Sequence, residues 1–207
     1  GRIRLILATL DERALARYYH ADTVARFPLA MMAGEPHPVQ ASELEVSVAT
    51  LADVAKLDAI ERAVVGYSRA HEYGWLFEER EAFLYRRDRK VVGFGFLGSF
   101  GQGPVAALEP ALQRSILLHL EGRAHERGIK QVSFVVPTIN EVAVKHLLAR
   151  GFKLHPPLNL FMSNEPFGNF AMFSMRRLAE MARERLVVVL TGQGGDELAG
   201  GYPGRYN

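Results

Sequence analysis

The chain of 207 residues contains no cysteine. Disulfide frameworks, thiolate zinc sites and thiol nucleophiles are excluded together. Long apolar runs are missing as well. The longest, such as LVVVL at 186–190, fall far short of the ~20 residues that a membrane-spanning helix needs. Neither sign of charge dominates: 25 Lys and Arg against 23 Asp and Glu leave a net +2. That balance offers no basic surface for nucleic acid and no acidic tail. The N-terminal GRIRLILATLDE has a short apolar run without a cleavage site, so a signal peptide is not expected. It also lacks an initiating Met, and the natural chain is expected to begin before Gly1. What remains is 48% hydrophobic and 23% charged, the profile of a cytoplasmic globular protein with one or two domains.

Two distant stretches share one design. Residues 6–33 can be laid over 135–162 at an offset of 129, so that Thr9, Asp11, Glu12, Ala14, Pro28 and Leu29 meet Thr138, Asn140, Glu141, Ala143, Pro157 and Leu158. Each copy reads as a buried strand, then Asp11 or Asn140 at a helix N-cap position, then an amphipathic helix and a second extended stretch carrying proline. A period of that length is the size of a domain, so the first copy reads as the tail of a module. The domain plan is therefore a C-terminal remnant over 1–38, a linker at 39–43 within EPHPVQASE, a complete module over 44–165, and an extension over 166–207.

Within the module the pattern predicts a strand at 45–50, a helix over 51–66 stopped by Gly66, and a short helix over 72–81. A hairpin follows over 82–100, turning at Arg89, then a strand over 103–110. A helix over 111–128, the strand IKQVSFVVP, a helix from Asn140 capped by Gly151, and two final strands through FKLHPPLNLFMS complete the order. This is an α/β (α+β) layout with helices on a mixed, mostly antiparallel sheet.

The element order and the stretch VVPTINEVAVKHLLARGF (135–152) resemble the GCN5-related N-acetyltransferases, the GNAT superfamily, in a tandem-repeat arrangement whose first repeat is truncated. The resemblance implies a GNAT-like acyl-CoA N-acyltransferase fold, acetyl-CoA as cofactor and a small-molecule amine as acceptor, with a partner repeat in the same polypeptide. It implies a pantetheine arm along Val105, Ala106, Ala107 and Leu108, and a pyrophosphate at the start of the next helix near Gln113, Arg114 and Ser115. Asn140 would lie near the thioester. Two departures stand out. The family's glycine-rich phosphate loop is replaced by EPALQRSILLHL, with no glycine between Pro110 and Gly122. The family's Tyr seven residues after the Asn, its usual general acid, is Leu147 here, whereas the truncated copy keeps Tyr18. Those departures leave open a non-catalytic scaffold module. On the acceptor side the candidates are His71, Glu72 and Tyr73, with Glu78, Glu79, Glu109 and His119 as further bases and Tyr67, Trp75 and Phe77 as lining aromatics. No metal site is expected.

The last stretch differs in character. LTGQGGDELAGGY (190–202) resembles the strand and Gly-x-Gly-x-Asp-Glu-Leu loop of asparagine synthetase-type amidotransferases, matching at Gly192, Gly194, Asp196, Glu197, Gly201 and Tyr202. There the loop approaches ATP and magnesium. The family's Ser-Gly-Gly-x-Asp-Ser loop and N-terminal Cys have no counterpart here, so the segment reads as a fusion or fragment junction.

Overall fold

A computed structural model describes residues 4–7, 11–39, 43–99 and 101–164. The glycine-rich motif with Gly192, Gly194, Asp196 and Glu197 lies outside the described residues. The described residues belong to one compact unit.

Among the described residues eight strands form one sheet in the order β1-β8-β2-β7-β6-β5-β4-β3. In chain order these are β1 (Arg4–Leu7), α1 (Glu12–His20), β2 (Val24–Gly34), β3 (Glu45–Val48), α2 (Val54–Val65), α3 (Tyr73–Glu79), β4 (Arg80–Arg87) and β5 (Lys90–Gly98). They continue with β6 (Gln102–Ala107), α4 (Gln113–Glu126), β7 (Val132–Pro137), α5 (Glu141–Ala149) and β8 (Lys153–Ser163). All neighbouring pairs are antiparallel except β6 with β7. The mixed, mostly antiparallel α/β architecture is thus present.

Local chemistry sets the joints. Asp88 and Arg89 both take positive φ, 52° and 65°, which suits the two-residue turn of the β4–β5 hairpin. Gly66 closes α2 at φ 81°. The expected pair of final strands is instead the single long β8, which runs through Pro156 and Pro157 with a register shift against β2. The position beside β7 is filled from the other end of the chain. β2 lies between β7 and β8 and pairs antiparallel with both.

Two apolar layers sandwich the sheet. On one face α4 and α5 cover Met32, Phe83, Val132, Phe134, Val136 and Phe152, with Ile116, Leu120 and Leu147 as the helical side. On the other, α2 and α3 cover Leu84, Phe94, Phe96 and Ala106 with Leu57, Ile60, Tyr73 and Leu76. Glycine brings α4 close to β5: a Cβ on Gly93 would stand 2.5 Å from Cδ1 of Ile116 and 2.8 Å from the Ala106 carbonyl oxygen.

Buried charge ties the elements together. Glu121 of α4 is 1% exposed and receives Nε and Nη2 of Arg150 at 2.9 and 2.8 Å and the His37 amide at 3.1 Å. That carboxylate raises the Arg150 guanidinium above its usual value. The segment 35–39 is held on α4 by this amide, by His125 Nδ1 at 3.1 Å from the Pro36 carbonyl, and by Val39 over Gly122. Glu61 of α2, also buried, binds Arg69 and the Tyr73 hydroxyl.

The offset of 129 residues reappears in the elements. α1 (Glu12–His20) corresponds end for end to α5 (Glu141–Ala149), and β2 (Val24–Gly34) to β8 (Lys153–Ser163). Asp11 caps α1 through Arg13 and Ala14 amides at 2.9 and 3.1 Å, and Asn140 caps α5 through Ala143 at 3.2 Å. After each helix a residue takes positive φ, Asp22 at 59° and Gly151 at 87°. The next amides, Thr23 and Phe152, return to Tyr18 and Leu147 carbonyls at 3.1 and 3.0 Å.

Candidate functional site

β6 and β7 run parallel but, among the described residues, are paired only at Gln102 and Phe134. Beyond that point β6 keeps its bonds to β5 through Val105, Ala106 and Ala107, while β7 keeps its bonds to β2 through Val135, Val136 and Pro137. The two strands therefore part toward their C-terminal ends and leave a V in the middle of the sheet. Backbone groups on the facing edges of a splayed pair have no ladder partner, so they are offered to whatever enters the gap. Val105, Ala106, Ala107 and Leu108, the expected cofactor-arm residues, all lie on the β6 side of this gap. Val105 is partly covered, Ala106 and Ala107 are buried at 5% and 4%, and Leu108 is exposed with its amide given to the Val92 carbonyl at 2.9 Å.

Pro110–Leu112 makes a 3-10 turn at the wide end of the V and passes straight into α4. No side chain caps the start of α4. Its first amides and the positive end of its dipole are the features that attract an anion. Gln113 and Ser115 are partly buried there and Arg114 is exposed. Across the V, Asn140 stands at the start of α5 with its side-chain oxygen engaged as the helix cap. Leu147 is 1% exposed and packed in the core beneath α4. Tyr18, its counterpart on α1, is half-buried at the far side of the sheet, where β1 is the outer strand.

Two polar atoms here have no hydrogen-bond partner among the described residues: Oε1 of Gln113 and Nε2 of His146, both buried. Burial also lowers the affinity of His146 for a proton, keeping the ring neutral. His146 was not a sequence candidate. It sits in the amphipathic pattern of α5 like any helix-face residue, and only the packing of α5 on α4 distinguishes it.

The acceptor-side candidates fall in different settings. His71 is exposed at the α2–α3 connection, with Nε2 3.8 Å from Glu72. Glu72 stands at the N-cap of α3 and also approaches Arg69 at 3.9 Å. Tyr73 is fully buried, stacks on Phe96 at 6.0 Å between ring centres, and gives its hydroxyl to Glu61. Burial, reinforced by that carboxylate, raises its pKa far above that of a free tyrosine. Tyr67 lies under the Arg4 guanidinium, 3.5 Å from its ring centre, so β1 reaches the same connection. His119 is packed edge-on to Phe83 and Tyr85 with its Nδ1 2.9 Å from the Tyr85 hydroxyl. Burial pushes the His119 pKa down and that of Tyr85 well up. Glu109 pairs with Arg87.

A cleft of about 440 Å³ lies away from the V, lined by Phe77, Glu78, Glu79, Arg80, Glu81, Ser99, Arg123 and Arg127. Its charges largely answer one another: Glu81 meets Arg123 at 3.1 Å and Arg127 at 3.4 Å, and Arg80 donates to the Gly103 carbonyl. Among the described residues no cluster of His, Asp and Glu is arranged to hold a metal, and no helix is long and apolar enough to cross a membrane.

A splayed parallel pair, a helix start at its wide end and an Asn-capped helix after the second strand identify the architecture. The fold is the GNAT fold. A candidate acetyltransferase of Pyrococcus horikoshii superposes with a TM-score of 0.60 at 16% identity, over 81% of this chain and 53% of that one. A GCN5-related N-acetyltransferase from Sphaerobacter thermophilus gives 0.53 at 13% identity, over 78% and 58%. The ribosomal-protein-S18-alanine N-acetyltransferase of Escherichia coli gives 0.50 at 16% identity, with 61% of this chain covering 97% of that enzyme. The chain thus spans little more than half of the first two and nearly the whole of the third. At these identities the likeness shows the fold.

A different family matches at the other end. The asparagine synthase profile matches residues 141–207. A candidate glutamine-hydrolysing asparagine synthetase of Methanocaldococcus jannaschii is 51% identical over 39 residues, which are 19% of this chain and 8% of that protein. The profile begins inside the GNAT unit, at α5, and continues through the glycine-rich motif.

Proposed function

We propose that the V between β6 and β7 binds acetyl-CoA and that the chain is an N-acetyltransferase acting on a small-molecule amine in the cytoplasm. The observation that carries this reading is the single parallel pairing at Gln102 and Phe134, after which the strands part. In this proposal the edge of Val105–Leu108 takes the pantetheine arm in extended form. The uncapped start of α4, with Gln113, Arg114 and Ser115, takes the pyrophosphate.

Bound this way, acetyl-CoA supplies the thioester. The chain contributes position and electrostatics: edge amides near the thioester carbonyl stabilise the oxyanion that forms when the amine attacks. Asn140 holds the start of α5 beside that point. Leu147 cannot donate a proton to the departing thiolate, so the proton is supplied by solvent or by the acceptor. Such a site transfers more slowly than one with a positioned acid, by about 10²–10⁴-fold. His71 and Glu72, at the α2–α3 connection, belong to the acceptor side in this reading, with Tyr73 holding the connection from beneath.

Titration calorimetry with acetyl-CoA, followed by free-thiol release against a panel of primary amines, tests the proposal. Saturable binding with thiol release is expected. Binding without release for any amine would leave a non-catalytic GNAT module, and absence of binding would remove the cofactor reading altogether. A second reading is favoured by the 51% match over 39 residues: in it, residues 190–202 would face a nucleotide as in an asparagine synthetase. ATP–magnesium binding that is lost in Asp196→Ala would support it.

A further inference from the structure

Half of the charges lining the cleft at the end of α3 are paired, and the other half share a pattern. Glu81 meets Arg123 at 3.1 Å and Arg127 at 3.4 Å, and Arg123 also reaches Glu126 at 3.0 Å. Glu78, Glu79 and Arg80 line the same space of about 440 Å³. Among the described residues none of these three has an opposite charge within ion-pair distance. Glu78 and Glu79 are exposed and end α3, where a helix dipole prefers cations, and no basic residue lies in that turn.

Arg80 is held in place without a carboxylate. It is partly buried at the start of β4, and its stem packs over Gly98, where a Cβ would stand 3.1 Å from the arginine Cγ. Its Nη1 donates to the Gly103 carbonyl, and the guanidinium lies 5.9 Å from the centre of the Trp75 ring. Burial disfavours its charged form, and the charge of Glu79 offsets that only in part. Glu79 thus acts on Arg80 across a gap too wide for a pair. A guanidinium is a planar fork of donors that fits a carboxylate, and one already fixed in place loses little freedom on meeting it.

Phe77, set edge-on to Phe96 at 5.3 Å, gives the same cleft an apolar wall, and Ser99 lies across from it on the β5 side. The three arginines and three glutamates of the lining cancel in charge. A simple anion would be repelled by the end of α3, and a simple cation by Arg80. A molecule carrying both charges on neighbouring atoms answers both.

We propose that this cleft binds a free α-amino acid as its zwitterion, with the carboxylate on Arg80 and the ammonium on Glu78 or Glu79. The side chain of the ligand lies along Phe77. Arg80 touches the start of β6 at Gly103, whereas the V opens toward the other end of that strand. The two sites are separate, and this one stands whether or not acetyl-CoA binds.

Trp75 is the one tryptophan of the chain and lies against Arg80, so its fluorescence reads the site directly. The full chain is titrated at constant ionic strength with glycine, L-alanine and L-leucine. Isocaproate, which is leucine without its amine, and isoamylamine, which is leucine without its carboxylate, are the single-charge controls. L-leucine is expected to shift the emission saturably with a midpoint below about 5 mM, and each control to bind about 10-fold more weakly or worse. Arg80→Gln should weaken leucine about 10-fold or more. Because Arg80 also supports Gly98 and Gly103, a second variant, Glu78→Gln with Glu79→Gln, changes exposed side chains alone. It should weaken leucine about 5-fold or more and leave isocaproate no weaker. Three results would overturn the proposal: no saturable shift with any of the amino acids at about 50 mM, isocaproate as tight as leucine, or leucine affinity unchanged in the Glu78 and Glu79 variant.

Discussion

Gln102 on β6 lies opposite Phe134 on β7 at the one parallel contact of the sheet among the described residues. Everything on the C-terminal side of that contact belongs to one strand or the other, and β5 and β2 pull the two apart. The gap is therefore a consequence of pairing on the outer flanks. Pairing on the flanks fixes both edges of the gap, which is what preorganisation requires of a cofactor slot.

Arg114 is the exposed cation at the start of α4, where the proposed pyrophosphate would lie. A charge-assisted hydrogen bond contributes about 1.5–3 kcal/mol, so Arg114→Glu should weaken acetyl-CoA by at least about 10-fold. The affinity for S-acetylpantetheine, which has no pyrophosphate, should change little. The thermal midpoint of the free protein should shift little, because Arg114 is exposed and acts on the fold only through its charge near His146. Equal affinity of the variant by calorimetry would move the phosphate site elsewhere.

Gly93 is fixed by contact rather than by turn geometry. A methyl there would press on Ile116, whose side chain is fully buried, and on a backbone oxygen of β6 that cannot move without shifting the wall of the V. Gly93→Ala should cost about 1–3 kcal/mol through overpacking, offset only slightly by the stiffer unfolded chain. Gly95→Ala, where the nearest atom is Cδ1 of Leu120 at 2.9 Å, should cost less. Urea unfolding of the pair checks the order, and an unchanged Gly93→Ala midpoint would contradict the close helix–sheet approach.

Local grammar was readable where one segment decides its own shape. Asp11 and Asn140 cap helices, Gly66 ends one, and Asp88-Arg89 turns a hairpin, all from short-range chemistry. The internal offset was legible because the two copies repeat the same cap and helix rhythm. The merger of the first 34 residues into the central sheet was not. β2 satisfies the same alternation whether it closes its own sheet or enters another, and its partners lie more than a hundred residues away. The expected second strand after α5 failed for the same reason: its place was already taken. Buried Glu61 and Glu121 look like ordinary helix-face acids until Arg69 and Arg150 arrive from elsewhere. His146 and the unpartnered Gln113 oxygen depend on how α5 meets α4, which no local pattern encodes.

Glu121 is the joint between α4, α5 and the segment before β3. Glu121→Ala leaves the Arg150 cation and the His37 amide without their acceptor. Breaking a buried pair costs about 3–5 kcal/mol, and the low end applies because the Arg150 side chain is 30% exposed. A Glu121→Leu, Arg150→Leu double variant should recover about half of the loss, since no charge is then stranded. Urea midpoints of the two proteins measure the difference. A double variant no more stable than Glu121→Ala would mean that the His37 contact, not the ion pair, dominates.

Burial holds His119 and His146 below the ordinary histidine value of 6.5. In the unfolded chain each ring takes up a proton as pH falls through about 6.5, while in the fold it stays neutral until the lowered value is reached. In that window the unfolded state binds more protons, so stability falls with falling pH. The contribution is complete above about pH 6.5 and is lost progressively as pH drops through the depressed folded-state values. Unfolding midpoints should therefore decline between about pH 7 and pH 5, a range in which Asp53 and Asp58, with pKa values lowered from 3.8, remain ionised in both states. Replacing both rings (His119→Asn with His146→Asn) should flatten that slope even though it lowers stability at every pH. Asn keeps a polar group beside the Tyr85 hydroxyl, so the fold survives to be measured. A slope unchanged by the double replacement would show that the rings are already solvated and protonated in the native protein, and the packing of α4 and α5 on this face would have to be redrawn.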